Sequence, residues 1–468
     1  LPADYFLLSS FLNNDTGMSI FKKIKSTVGL LQQLDLDQIG KLSEKVDISK
    51  MVSLVSSMKG EDLQKLMKYM EGGKKKHEFP EIDGDFYDLH QWLTPEERAI
   101  QLKVRAFMQE HIKPIANEYW VKDEFPHHII PEMAKLNICG LTYQGYGCPG
   151  MSSLLEGFLA MEMARVDCST STFFGVQSGL AMGSIYYCGS EEQKQQWLPR
   201  MQKMELIGAF GLTEPEVGSG AAGGLTCTCK RVGDTWVLNG QKKWIGNATF
   251  ADLVVIWARD LDDGNVKGFI VEKGTKGFQA DKIKGKMALR IVQNALITLT
   301  NCEVHESNRL QNATSFKDTA KVLRMTRAGV AWQAVGCARG AYESALRYTN
   351  ERKQFGRTIS SFQMVQDLLV EMLSNLTAMQ TMVCRLSQLQ DVGKLTDEQA
   401  SLAKVFCTLR TRDVVSHARE LFGGNGILIE YDIARFVADS EAIYSYEGTK
   451  EINTLIVGRA ITGQSAFV

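Results

Sequence analysis

Apolar residues recur at helical spacing in two long stretches of this chain and lose that spacing between them. In "LTPEERAIQLKVRAFMQEHIKPIANEYW" (93–120), Thr94 stands as a helix cap, Pro95 at the first helical position and Glu97 three residues after the cap. Helical patterns continue to about residue 205. Residues 208–315 are rich in glycine, threonine and β-branched side chains, and "ADLVVIWARD" and "VKGFIVEK" read as strands. "DTWVLNGQKKWIGN" reads as a hairpin, with Asn239-Gly240 as the turn between two strands. From 316 to 468 helical patterns return, and the run "TAKVLRMTRAGVAWQAVGCARGAYESALRYTNERK" carries no proline. Near the end, Thr449 precedes Ile452, Leu455 and Ile456 at i, i+3, i+4, which predicts a capped helix with a buried stripe. The order helical, β, helical, without βαβ alternation or a GxGxxG run, argues against a nicotinamide-binding doubly wound domain.

The first 80 residues read differently. Leu63, Leu66, Met67 and Met70 form an amphipathic stripe, and "GGKKKHEFPEIDGD" (72–85) reads as a linker. "LPADYFLLSSFL" lacks the basic leader of a signal peptide, and no arginine occurs before Arg98, which argues against a mitochondrial transit peptide. Four segments are expected: a helical appendage (1–80), an N-terminal helical domain (81–207), a middle β domain (208–315) and a C-terminal helical bundle (316–468).

Composition narrows the function. A formal net charge of −1 gives no case for nucleic acid. No apolar run approaches the roughly 20 residues of a membrane-spanning helix. Ten cysteines are scattered without a CxxC pair, and the seven histidines do not cluster, so no metal site is expected. Reduced thiols point to an intracellular, soluble protein, cytoplasmic if bacterial.

Five segments carry more. "FGLTEPEVGSG" (210–220), "LNGQKKWIGNA" (238–248), "ERKQFGR" (351–357), "ELFGGNGILIEYDIARFVAD" (420–439) and "YSYEGTKEIN" (444–453) together resemble the acyl-CoA dehydrogenase superfamily. The branch they resemble holds glutaryl-CoA dehydrogenase and the plant short-chain acyl-CoA oxidase. The resemblance covers roughly residues 85–468. It implies a mainly α protein with a central β domain: helical N-domain, β-barrel-like middle domain and C-terminal four-helix bundle, with FAD between the last two. It also implies a homodimer or homotetramer, and an electron-transferring flavoprotein or O2 as acceptor.

By the same resemblance, Thr213 contacts the flavin, Ser219 the pyrophosphate, and Trp244 lies against the isoalloxazine beside Gly246. Arg352 and Gln354, with Phe355, reach FAD phosphates and adenine across a dimer interface; arginine suits that task because it stays charged and binds oxyanions bidentately. Gly423 and Gly424 let backbone approach the cofactor, and Thr449 completes the cofactor set. Glu447 matches the base that removes the α-proton of an acyl-CoA while a β-hydride passes to flavin N5. A weakly acidic C–H needs a carboxylate in a dry pocket, where burial strengthens the base. Tyr446 and Gly448 shape the thioester pocket, and Arg327 is a candidate for the CoA moiety, with a core-edge salt bridge as the plain alternative. Thr326 falls where some relatives carry the base, and a threonine cannot serve as one.

Three departures bear on substrate and acceptor. Gly220 replaces the family's aspartate. Gly246 replaces a threonine near N5, as in the plant oxidase, and opens room for O2. Ser171 stands where glutaryl-CoA dehydrogenases hold a distal carboxylate with arginine, and Phe173 and Phe174 beside it favour an apolar tail. The expected reaction is desaturation of a short- to medium-chain monocarboxylic acyl-CoA to the trans-2-enoyl-CoA. The alternatives are an oxidase, a glutaryl-CoA-type dehydrogenase and a non-catalytic flavin-binding relative.

Overall fold

At Thr94 the chain turns into its first described α-helix by a reciprocal pair of hydrogen bonds. Thr94 Oγ1 accepts from the Glu97 N–H at 3.2 Å, and the Glu97 carboxylate accepts from the Thr94 N–H at 2.9 Å. The computed structural model describes residues 83–466; the appendage expected over 1–80 and its Leu63, Leu66, Met67, Met70 stripe lie outside the described residues. Seven helices follow: α1 (Pro95–Phe107), α2 (Lys113–Lys122), α3 (Ile129–Ala134), α4 (Ser153–Ala164), α5 (Cys168–Gly175), α6 (Met182–Cys188) and α7 (Glu191–Gln202). A π-helical turn, Val176–Ala181, joins α5 to α6. Helix α4 is buried on nearly every side. Its Gly157 leaves room for Trp332, whose ring lies 2.2 Å from where a Cβ would stand.

The middle of the chain is a curled seven-stranded sheet: β1 (Gly208–Gly211), β2 (Thr228–Val232), β3 (Thr235–Ile245), β4 (Leu253–Asp260), β5 (Val266–Glu272), β6 (Phe278–Lys282) and β7 (Ala295–His305), with a short helix α8 (Ala221–Gly224) after β1. The strand order is β1-β4-β2-β3-β7-β6, with β5 on β4. Alternation along β4 explains its burial on both faces. Val254, Ile256 and Ala258 enter the sheet's own core with Trp236 and Phe269, while Leu253, Val255 and Trp257 enter the core shared with the helices.

The hairpin expected at Asn239-Gly240 is not there. Strand β3 runs straight through both residues, with a register shift between Leu238 and Gly240 against β7. The glycine serves a close approach instead: at φ 137, its absent Cβ would lie 2.7 Å from Cys227 Cα. Asn239 is used to accept the Asn301 N–H at 2.7 Å.

The last part is again helical: α9 (Phe316–Glu351), α10 (Gln363–Asp391), α11 (Asp397–Phe422), α12 (Ile433–Ser445) and α13 (Lys450–Thr462), with a two-residue ladder of β8 (Lys353–Gln354) and β9 (Arg357–Thr358) between α9 and α10. Helix α9 crosses α4 closely because Gly336 carries no side chain; a Cβ there would stand 2.4 Å from the Met161 carbonyl oxygen. Thr449 does cap α13, accepting from the Ile452 N–H at 3.3 Å. The stripe of Ile452, Leu455 and Ile456 is only half-buried, and the buried residue of that helix is Asn453. No helix among the described residues is long and apolar enough to cross a membrane.

Candidate active site

Four polypeptide segments converge on the turn between α12 and α13. The turn, Tyr446 to Thr449, contains two successive left-handed residues, Glu447 at φ 53 and Gly448 at φ 87. A non-glycine residue there is unfavourable, so surrounding bonds must hold it. They come from two side chains. Lys404 of α11, with no exposed surface, donates its Nζ to the carbonyls of Tyr444 (3.1 Å) and Gly448. Asn453 Nδ2 donates to the carbonyls of Gly448 (2.8 Å) and Thr449 (3.0 Å). Gly448 is needed for that last contact, since a Cβ would stand 3.0 Å from Asn453 Nδ2.

Held in this way, the Glu447 carboxylate accepts one hydrogen bond, from Thr326 Oγ1 of α9 at 2.7 Å. The residue as a whole is half-buried, yet loss of hydration around the carboxylate raises its pKa. Thr326 and the nearby charges of Lys404 and Arg327 oppose that rise without cancelling it. Burial also lowers the Lys404 ammonium, to about 8. Arg327 makes no ion pair among the described residues, and its Nε is buried without a partner. The structure therefore brings together Thr326, Arg327, Lys404, Tyr446, Glu447 and Gly448. Thr326, unable to act as a base, is instead the donor to the base candidate.

Beside Glu447 the Tyr446 hydroxyl donates to Gln333 Oε1. Gln333 Nε2 continues the chain to Thr172 Oγ1 (2.7 Å) and the Cys168 carbonyl (3.0 Å). This polar crossbar links the Glu447 turn to α5. Ser171, one residue from the crossbar, places its hydroxyl on the Ala160 carbonyl of α4 at 3.3 Å, a helix-packing contact. Phe173 is fully buried against Phe125, with ring centroids 4.5 Å apart, and Phe174 is half-buried.

The segments expected at a flavin lie on the sheet. Thr213 follows β1 and accepts the Lys243 N–H on its carbonyl at 2.8 Å. Its neighbour Glu214 is anchored by four donors: the N–H and hydroxyl of Thr226, the N–H of Cys227 and, at 2.8 Å, Lys242 Nζ. Ser219 and Gly220 are exposed on the loop beyond. Trp244 is left-handed (φ 67) and 53 % exposed, an unusual state for tryptophan. Its carbonyl is held by Asn294 Nδ2 at 3.2 Å, and Asn294 Oδ1 is held by Lys286 Nζ at 2.7 Å. Gly246 faces Val176 and Val292, 3.3 and 3.5 Å from an added Cβ. A half-open indole, a glycine between two valines, and loop glycines with open space at Gly218, Gly220, Gly423 and Gly424 suit a flat apolar ring carrying phosphates.

Arg352 ends α9, Gln354 lies on the exposed β8–β9 ladder and Phe355 in its turn, at φ 52 and 92 % exposed. No hydrogen bond or ion pair among the described residues joins them, or Gly423 and Gly424, to the Glu447 turn. A groove of about 870 Å³ lies elsewhere, between Phe86, Tyr87, α10 and the start of α11. No group of side chains that could hold a metal occurs among the described residues.

Comparison with known proteins covers all three parts of the described chain. The acyl-CoA dehydrogenase N-terminal domain is matched over residues 94–205, the middle domain over 209–302 and the C-terminal domain over 316–462. A probable acyl-CoA dehydrogenase of Bacillus subtilis is 32 % identical over 375 residues, covering 79 % of this chain and 98 % of the relative. A short-chain-specific acyl-CoA dehydrogenase of Clostridium acetobutylicum is 32 % identical over 374 residues, with 79 % and 98 % covered. A caffeyl-CoA reductase-Etf complex subunit of Acetobacterium woodii is 30 % identical over 372 residues, with 78 % and 98 % covered. Among solved structures, a glutaryl-CoA dehydrogenase from Mycobacterium smegmatis matches with TM-score 0.78 at 38 % identity, covering 81 % of this chain and 97 % of the other. One from the same organism in complex with FADH2 matches with TM-score 0.79 at 34 % identity, covering 82 % and 98 %. With three successive domains matched and relatives covered almost end to end, the chain belongs to the acyl-CoA dehydrogenase family.

Proposed function

We propose that the protein desaturates a short monocarboxylic acyl-CoA to the trans-2-enoyl-CoA, with Glu447 as the base. One observation carries this reading: a carboxylate of raised pKa, given a single hydrogen-bond donor, is held on a left-handed turn that costs backbone energy to maintain. FAD, the cofactor that accompanies the family and is bound as FADH2 by one solved relative, supplies the acceptor for the β-hydride. Thr213, Ser219, Trp244 and Gly246 would hold its ring and pyrophosphate. Arg352, Gln354 and Phe355, all exposed, would complete the site of a second copy in a homodimer or homotetramer. Within this chain, Glu447 receives the α-proton, Thr326 keeps the carboxylate aimed, and the Tyr446–Gln333–Thr172 crossbar ties the turn to α5.

The short-chain-specific relative favours a short tail. Ser171, committed to a backbone carbonyl, offers no clamp for a distal carboxylate, which weighs against a glutaryl-type substrate. Glu447→Gln is expected to lower the rate at which butyryl-CoA bleaches bound flavin by about a hundred-fold or more, with FAD content unchanged. Near wild-type bleaching in that variant would remove the assignment.

The relative from an Etf complex favours an electron-transferring flavoprotein as acceptor. A second reading rests on Gly246: the position of its absent side chain is bordered by Val176 and Val292, with Asn294 Nδ2 at 3.9 Å, a mainly apolar surround for O2. Turnover under air should then yield one peroxide per enoyl-CoA. Turnover that requires the flavoprotein and forms no peroxide rules that reading out.

A further inference from the structure

Lysine is rarely buried without a partner carboxylate in contact, because an ammonium loses its hydration on burial. Lys404 is fully buried, and no carboxylate lies within ion-pair distance of it among the described residues. Its three protons face a different set of acceptors. Two are main-chain carbonyls, Tyr444 and Gly448, which bracket the left-handed Glu447 from either side. The charges facing it are Glu447 and Glu451 from the turn and α13, which favour the ammonium, and Arg327 from α9, which opposes it.

We infer that Lys404 is the positioning residue of the base: it clamps the two carbonyls that fix the left-handed turn, and its buried charge favours the ionised Glu447 carboxylate from outside hydrogen-bonding distance. The inference rests on Glu447 being the base. Separation is the point of the arrangement. A lysine in contact with Glu447 would hold the carboxylate so strongly that it could not accept a proton from carbon. At a distance the cation moderates the effect of burial, so the base stays ionised before reaction and can still be protonated during it. Both roles come from one ammonium: its N–H bonds hold the backbone, and its charge acts through space.

Two variants separate these roles. Lys404→Gln keeps donors for the carbonyls and removes the charge; Lys404→Met removes both. For each, FAD content, the pH dependence of flavin bleaching by butyryl-CoA, and the Glu447 titration are measured. The titration is followed by infrared difference spectra against Glu447→Gln, which do not depend on turnover. Both variants should move the acidic limb of bleaching and the Glu447 titration up by roughly one pH unit. Lys404→Met alone should also lose about ten-fold or more in the plateau rate, because the turn is released. If Lys404→Met fails to load FAD, Lys404→Gln decides. An unmoved titration in Lys404→Gln overturns the inference, while bleaching by wild type that still depends on Glu447 leaves the proposed function standing. A fall in stability or FAD content with both limbs in place would assign Lys404 a structural role only, and also overturns it.

Discussion

Two lysine–glutamate pairs among the described residues are built in opposite ways. In the sheet, Lys242 and Glu214 touch at 2.8 Å, each almost wholly buried. In the bundle, Lys404 and Glu447 sense each other's charge without an ion-pair contact. Burial pushes both carboxyl groups toward the protonated form, but the outcomes diverge. Four donors on Glu214, with Lys242 and Thr226 foremost, pull its pKa below the ordinary value. Glu447 has one donor, and its pKa stays raised. Donor count thus separates an inert carboxylate that ties a loop from one with proton-accepting capacity in reserve.

The largest expected effect comes from breaking the contact pair. Lys242 Nζ also donates to the Leu212 carbonyl at 3.0 Å, so it fixes the strand end that carries Thr213. Lys242→Met leaves the Glu214 charge buried and should cost about 3–5 kcal/mol. Thermal unfolding should show a large drop in Tm, together with loss of bound FAD. If Lys404→Gln instead destabilises the protein more than Lys242→Met, the contact pair is not the more structural of the two.

The same contrast explains what the sequence could show. The helical, β, helical order was legible because spacing and composition change at residues 208 and 316, where β1 and α9 begin in the structure. Tyr446, Glu447, Gly448 and Thr449 are contiguous, so one motif holds them together. Lys404 and Thr326 reach Glu447 and its turn across 44 and 121 residues, and only the fold makes that juxtaposition. A signal for Lys404 did exist: it is the one charge on the helix face made of Ala400, Ala403, Cys407 and Thr411. Asn239-Gly240 was misread for a physical reason. A glycine required by the close approach of Cys227 leaves the same letters as a tight turn.

A third buried carboxylate sharpens the comparison with a smaller effect. Asp439 of α12 accepts from the Leu289 N–H at 2.6 Å and from Trp120 Nε1 at 3.4 Å, both on Oδ1; Oδ2 is buried without a partner. Burial, then the charge of Asp167, pushes its pKa to about 7, with Arg435 opposing. An unfolded aspartate titrates near 3.8. Between those values the folded chain holds a proton that the unfolded chain has released, so this group's contribution to stability falls as pH rises through the window. Asp439→Asn cannot titrate and keeps an acceptor for the Leu289 N–H. The difference in Tm, variant minus wild type, should therefore climb between pH 5 and pH 8 and level off above. A difference that stays constant across that range would show that Asp439 is ionised in the folded protein throughout, and that two donors on one oxygen already suffice to hold a buried charge.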